Sequence, residues 1–268
     1  MIVYHEAGRV SAPRLAVTMG IPCRPASRAH EMDERPDVLI RWGSSASVRF
    51  KPTHGTINKR WALSRYNDRG EQLNILKDEG VTIPDFIVGW GRSIPKRWAH
   101  YYGRNNILGR QPTGGRGLNQ YAHTGFYLES DHDLSVKAIY KLRQFRVNVI
   151  GANSRTRELI SEETHPPALG IWNRDNGFTY RVPVDDIPRG VITQAIASVS
   201  ALRLDFGAVD VVYGHNTELR QGPAKAYVLE VNTAPGLCDE TLQWYATHLS
   251  NRITILRNPN ARENTQNV

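Results

Sequence analysis

Two apolar runs near the C-terminus constrain the fold of this chain most. Leu204-Asp205-Phe206-Gly207-Ala208-Val209-Asp210-Val211-Val212-Tyr213 and Ala226-Tyr227-Val228-Leu229-Glu230-Val231-Asn232-Thr233-Ala234-Pro235-Gly236 read as buried strands joined by a polar loop. Each nevertheless carries acids or an amide where a core would take apolar residues. Side chains alternate faces along a strand, so Glu230 and Asn232 point the same way, roughly 7 Å apart. Pairing the runs as an antiparallel hairpin with Tyr213 opposite Tyr227 puts Asp210 opposite Glu230, because the numbers of paired positions keep a constant sum.

Two carboxylates facing each other across a sheet repel, and burying them is costly unless a cation compensates them. Hard oxygen ligands with one amide suit magnesium, so the pattern implies a divalent metal accompanying a nucleotide. The plain alternative puts Asp210 and Glu230 on a solvated sheet face. Val209, Val211, Val228 and Val231 leave little clean polar alternation for it, and Asn-Thr-Ala-Pro-Gly ends the second strand abruptly.

The chain has 268 residues, 40% of them apolar, enough for one large core or two to three small lobes. No apolar run approaches the ~20 residues of a membrane span, and the N-terminus carries no signal-peptide pattern, so the expected compartment is the cytoplasm. A net charge of +8 and a pI near 9.6 admit nucleic acid or an acidic substrate as partner. The basic residues are dispersed, however, and no zinc finger, recognition helix or aromatic RNA-binding motif accompanies them. Cys23 and Cys238 stand in no CxxC pair and read as reduced thiols; the closeness of Cys238 to the proposed metal strand leaves a reactive role open.

From the N-terminus, Ile2 to Tyr4, a helix from Ala12 through Met19 closed by Gly20, and Val38 to Trp42 read as a β-α-β unit, with Gly43-Ser44-Ser45 as a tight turn. A helix capped by Thr56 or Asn58 is expected to run to Lys77 and stop at Gly80, and Gly80 to Pro84 returns as an extended segment. Ile107 to Gly117 reads as a strand entering a glycine-rich loop, whose backbone N–H groups at Gly114, Gly115 and Gly117 could approach phosphate oxygens beside Arg110 and Arg116. Phe145 to Ile150 alternates cleanly as a strand. Ile171 to Tyr180 reads as a hairpin with an Asn176-Gly177 turn, from whose edge Asn173 or Arg174 could reach a nucleotide or substrate. Arg189 to Leu202 is an amphipathic helix with Val191, Ala195, Val199 and Leu202 on one stripe. Thr241 to Leu249 is a last helix, and Asn258 to Val268 a polar, frayed tail.

The segment from Leu204 to Leu237 resembles the C-terminal metal-binding part of the ATP-grasp superfamily of carboxylate-amine ligases, which includes D-alanine ligases, glutathione synthetase and the ribosomal-protein glutamate ligases. In that family an Asp on one strand and a Glu-x-Asn on the next hold two magnesium ions against the ATP phosphates; Asp210, Glu230 and Asn232 match residue for residue. The resemblance extends over roughly Asn58 to Leu249. It implies a phosphate-binding role for Lys59, which is otherwise a solvated lysine in a first helical turn. It also implies that the backbone near Ile139 reads adenine and that Arg146 faces the phosphoryl groups; an Arg on the outer face of a strand is the alternative. Two positions depart from the family. Arg110 stands where a lysine is usual, keeping charge with different reach, and Gln144 replaces the acid that bonds the ribose hydroxyls.

The resemblance implies an α+β ATP-grasp fold in which two α/β lobes sandwich the nucleotide after a short β-α-β N-terminal domain. The expected division is 1–84 for that domain and its linker helix, 85–150 for the small lobe, 151–257 for the large lobe, and 258–268 for the tail. The implied cofactors are ATP and Mg²⁺, two ions, with Mn²⁺ able to substitute. The implied reaction joins a small-molecule or peptide carboxylate to an amine through an acyl phosphate, releasing ADP and phosphate. A kinase phosphorylating a hydroxyl, a non-catalytic nucleotide-binding module and a basic nucleic-acid-binding protein remain open alternatives, as does the oligomeric state.

Overall fold

The structure, a computed structural model, describes residues 1–4, 8–31, 36–48, 51–65, 68–89, 93–95, 100–104, 119–122, 127–129, 134–161, 172, 177–216 and 222–258. Strands β1 (Ile2–Tyr4), β2 (Cys23–Pro25), β3 (Val38–Trp42) and β4 (Gly55–Ile57) form a parallel sheet in the order β2-β1-β3-β4. Helix α1 (Ser11–Met19) links β1 to β2 and ends at Gly20, whose φ of 63° lets its N–H return to the Ala16 and Val17 carbonyls. The β-α-β unit is as expected; β2 and β4 add to it, and at three residues each they carry no readable alternation.

The single helix expected up to Lys77 is two helices, α2 (Arg60–Arg65) and α3 (Arg69–Asp78). The Asp68 carboxylate accepts the Gly70 N–H at 2.7 Å and the Glu71 N–H at 3.0 Å, a cap that starts the second helix afresh. Asn58 caps neither helix. It is fully buried in the left-handed region at φ 56°, where its Nδ2 donates to the Phe206 carbonyl at 3.1 Å. Its Oδ1 accepts the N–H groups of Asp205 at 2.7 Å and Phe206 at 3.1 Å. That amide ties the N-terminal unit to the start of a distant strand.

Next come β5 (Phe86–Val88), β6 (Ser93–Pro95), β7 (His100–Arg104), β8 (Asn119–Ala122), β9 (Tyr127–Glu129) and β10 (Leu134–Lys137). They make an antiparallel sheet ordered β5-β10-β7-β8 and a β6-β9 pair. A five-stranded antiparallel sheet follows, ordered β13-β12-β11-β14-β15, from β11 (Tyr140–Ile150), β12 (Asn153–Ser161), β13 (Phe178–Arg181), β14 (Phe206–His215) and β15 (Lys225–Asn232). Strand β11 is the central strand of this sheet.

Helix α4 (Arg189–Ala201) buries Val191, Ala195 and Val199 on one face of the sheet, against Phe145, Val147, Val209, Val211, Val228 and Val231. Helix α5 runs from Asp239 to Arg257, beyond the expected Leu249, because Leu242, Tyr245, Leu249, Ile253 and Leu256 continue one apolar stripe. That stripe joins Ile150 and Phe206 of the large sheet to Ile40 and Trp42 of the parallel one. Trp42 stacks on Phe206 with ring centroids 5.0 Å apart and meets the edge of Tyr245 at 5.4 Å. Among the described residues no helix is long and apolar enough to cross a membrane.

Candidate functional site

Strands β14 and β15 do not keep one register. Asp210 lies opposite Glu230 and Ala208 opposite Asn232, but Val211 lies opposite Val228 and Tyr213 opposite Ala226. Leu229 is therefore the extra residue of a β-bulge, and the expected Tyr213–Tyr227 pairing is replaced by Tyr213–Ala226. The bulge shifts the side-chain alternation by one. Ala226 and Val228 face the α4 core before it and Val231 faces the core after it, so Glu230 and Asn232 turn to the opposite face. Unbroken alternation from Val228 would have driven Glu230 into that core.

On this opposite face, four charged side chains stand in a row. Glu230 is paired with Asp210, Asp210 with Arg146, and Arg146 with Arg157 across four adjacent strands. At about 4.8 Å per strand the row runs roughly 14 Å, acidic at one end and basic at the other. Asp210 is buried, and Arg146 Nε and Nη2 donate to its two oxygens at 2.7 Å each, a bidentate pair. Burial by itself would depress the Arg146 guanidinium; the Asp210 charge and hydrogen bonds overcome that and raise it above its ordinary range, so it stays charged. The same guanidinium lies 4.8 Å from the Tyr180 ring centroid.

Glu230 is ion-paired with Arg69 at the start of α3, and its Oε1 accepts from Asn232 Nδ2 at 2.7 Å. Gln72, one turn further and buried, accepts the Val231 N–H at 3.0 Å and donates to the Val231 carbonyl at 3.2 Å. Helix α3 thus clamps β15 beside its bulge. Among the described residues no group of three or more His, Cys, Asp or Glu gathers as a metal cluster. The residues that could hold a divalent cation are Asp210, Glu230 and the Asn232 amide, hard donors turned to one face. Two opposed carboxylates need nearby positive charge, and Arg146 and Arg69 supply it.

Further along β11 the same face carries Gln144, opposite Val212, beside an apolar wall of Ile139, Val212 and Tyr227. Gln144 Oε1 is buried with no hydrogen-bond partner among the described residues, an acceptor that a ligand N–H or O–H would satisfy. Lys141 is turned to this face as well. Alternation from Phe145 would place it in the α4 core, but a register shift between Lys141 and Arg143 sets it opposite Gly214. A Cβ on Gly214 would come within 2.2 Å of the Tyr140 carbonyl oxygen, so the shifted register requires glycine there. Burial pushes the Lys141 amine down to about 7, and Nζ lies 5.5 Å from the Trp172 ring centroid.

At the basic end, Arg157 Nη1 meets Cys238 Sγ and Nη2 donates to the Tyr180 carbonyl at 2.6 Å. Cys238 is the residue from which α5 starts, 3.0 Å from Thr241 Oγ1. Burial raises its thiol, but the Thr241 hydrogen bonds and the Arg157 charge outweigh this and lower it below the ordinary range. Cys23 behaves oppositely, raised by burial to about 11.

Of the residues singled out in sequence, the fold brings together Asp210, Glu230, Asn232 and Arg146, and aligns Gln144 and Ile139 on the same sheet face. Lys59 is exposed between β4 and α2 and makes no hydrogen bond or ion pair with the row among the described residues. Arg110, Gly114, Gly115, Arg116, Gly117 and Asn173 lie outside the described residues. Arg69, Gln72, Lys141 and Arg157 are additions. No motif marks them, and each reaches the face through pairing or packing. The Gly43 turn is closed off: Gly43, at φ 66°, packs so near Ala234 that a Cβ would meet its methyl at 2.6 Å, and Arg41 Nη1 donates to the Ser44 and Ala46 carbonyls.

No protein-family model matches this chain, and no curated protein sequence matches it either. Solved structures do. A D-alanine–D-alanine ligase from Bacillus anthracis superposes with a TM-score of 0.61 at 13% identity, covering 98% of this chain and 99% of that one. The ATP-grasp ligase PsnB, solved with a phosphomimetic variant of its minimal precursor, Mg and ADP, gives 0.62 at 11% identity over 95% and 98%. A RiPP-associated ATP-grasp ligase from Chryseobacterium gregarium, in complex with ADP and a leader and core peptide, gives 0.56 at 13% over 92% and 94%. On these likenesses, which span nearly the whole of each partner, the chain has the fold of the ATP-grasp ligases.

Proposed function

We propose that this protein is an ATP- and magnesium-dependent ligase that joins a carboxylate to an amine. The observation that carries the proposal is the register of the charged row, which sets Asp210, Glu230 and Asn232 together at one end and the Arg146 guanidinium beside them. Asp210, Glu230 and Asn232 would hold Mg²⁺, which when bound neutralises phosphate charge. Gln144 and the Ile139–Val212–Tyr227 wall would receive the nucleoside, the buried Gln144 Oε1 accepting a hydrogen bond from it. Arg146, fixed by Asp210 and Tyr180, supplies permanent positive charge where the transferring phosphoryl group gains negative charge.

The chemistry balances without a protein nucleophile. A substrate carboxylate oxygen forms a bond to the γ-phosphorus as the bond to ADP breaks. The amine nitrogen then attacks the acyl carbon, phosphate departs, and the ammonium proton is lost to solvent. Of the similar structures, one holds a leader and core peptide and another a variant of a minimal precursor, and the basic balance of this chain favours an acidic acceptor such as a glutamate-rich peptide. The test is calorimetric titration of ATP with and without magnesium, on the parent chain and on Glu230→Ala. Tight magnesium-dependent binding that the variant loses is expected; binding that ignores both magnesium and the substitution would overturn the proposal.

A further inference from the structure

The basic end of the row has no counterpart in the roles assigned so far. Arg146 is matched by Asp210, Arg69 by Glu230, and Arg155, next along β12, by Glu240 at 3.0 Å. Arg157 meets no carboxylate among the described residues, although it stands directly opposite Arg146 across the β11–β12 pair, a placement that like charges disfavour. Its Nε is buried without an acceptor among the described residues, and its two terminal nitrogens face a thiol and a carbonyl. Helix α5, 19 residues long, starts at the same point. A guanidinium kept in such surroundings is stabilised by an anionic ligand.

We infer that Arg157, with Cys238 and the first turn of α5 beside it, is the subsite for the carboxylate that the enzyme activates. The assignment rests on the ligase function proposed above and names the place where its carboxylate binds. Position decides between a carboxylate and a nucleotide phosphate. Arg157 is two strands, roughly 10 Å, from Asp210 at the backbone, and one strand, about 5 Å, from Arg146. An anion on Arg157 is thus out of reach of the cation ligands yet adjacent to a phosphoryl group over Arg146, as a carboxylate attacking that group must be.

Cys238 serves as the reporter, because its sulfur touches the Arg157 guanidinium. Alkylation of the intact chain by iodoacetate, which carries a carboxylate, and by neutral iodoacetamide is followed at Cys238 by mass spectrometry. The ratio of the two rates cancels the fraction of thiolate, and so any effect of Arg157 on the thiol's ionisation. The ratio at Cys238 is expected to exceed that of N-acetylcysteine amide by roughly tenfold, the usual scale of a charge-assisted hydrogen bond. It should fall to the model-thiol value in Arg157→Gln and recover in part in Arg157→Lys. On the parent chain, sodium acetate should slow iodoacetamide labelling more than sodium chloride at equal ionic strength. A model-thiol ratio on the parent chain, an unchanged ratio in Arg157→Gln, or protection by MgATP but not by acetate would each overturn the inference. The outcome is separable from the ligase proposal: magnesium-dependent ATP binding with an ordinary ratio sinks only the subsite, whereas an elevated ratio without ATP binding sinks the ligase and leaves Arg157 an anion site without that substrate.

Discussion

A double-mutant cycle on Asp210 and Arg146 probes the centre of the row. Their bidentate contact places opposite charges about 4 Å apart, worth about 4 kcal/mol at an effective dielectric of 20. The Asp210 side chain is 10% exposed and the Arg146 side chain 25%, so solvent trims this, and the expected coupling energy is about 2 kcal/mol. Asp210→Asn preserves shape but strands a mostly buried guanidinium, and Arg146→Gln strands a buried carboxylate; each should cost about 3 kcal/mol. The double variant should then cost about 2 kcal/mol less than the sum. Urea unfolding of the four proteins measures this, provided the m-value is constant across the cycle. Half-molar salt should leave the coupling nearly intact, since a pair this enclosed is poorly screened. Additivity to within about 0.5 kcal/mol would refute the pairing and with it the claim that Asp210 orients Arg146.

Asn58→Ala removes three buried side-chain hydrogen bonds and forces alanine into the left-handed region, so a loss of about 3–5 kcal/mol is expected in urea unfolding. Asn58→Gly should lose about 1 kcal/mol less, and equal losses would deny any cost to the φ of 56°. Lys141 gives a pH signature. Its folded value near 7 lies below its ordinary 10.5, so its stabilising contribution is fully present above pH 10.5 and is lost as pH falls toward 7. Parent stability should therefore rise between pH 7 and 10 relative to Lys141→Met, as read from urea midpoints, and parallel pH profiles would contradict the burial of Lys141.

The pairing of Asp210 with Glu230 is legible in sequence because it depends on two neighbouring strands joined by a short loop, where valine density and the placing of acids are local facts. So are the α1 stop at Gly20, the α4 stripe and the common face of Glu230 and Asn232. The bulge at Leu229 is not, and it decides whether that common face is core or site. A bulge inserts one residue without changing composition, and only packing of Val228 and Val231 on α4 shows where the alternation slips. The same holds for Lys141, which a second register shift moves from the core side to the Gln144 side.

Distance in sequence set the other limit. Arg69 reaches Glu230 and Gln72 reaches Val231 from a helix about 160 residues earlier, and Asn58 bonds Phe206 across 148 positions. Arg157 gains its meaning only from standing opposite Arg146 and touching Cys238. By itself the sequence determined which acids and amide could share a cation, since that follows from alternation within one strand pair. Tertiary structure alone decided which cations face them and which guanidinium meets no carboxylate among the described residues, because charge compensation is a property of space, and the partners lie on chain segments that only folding brings together.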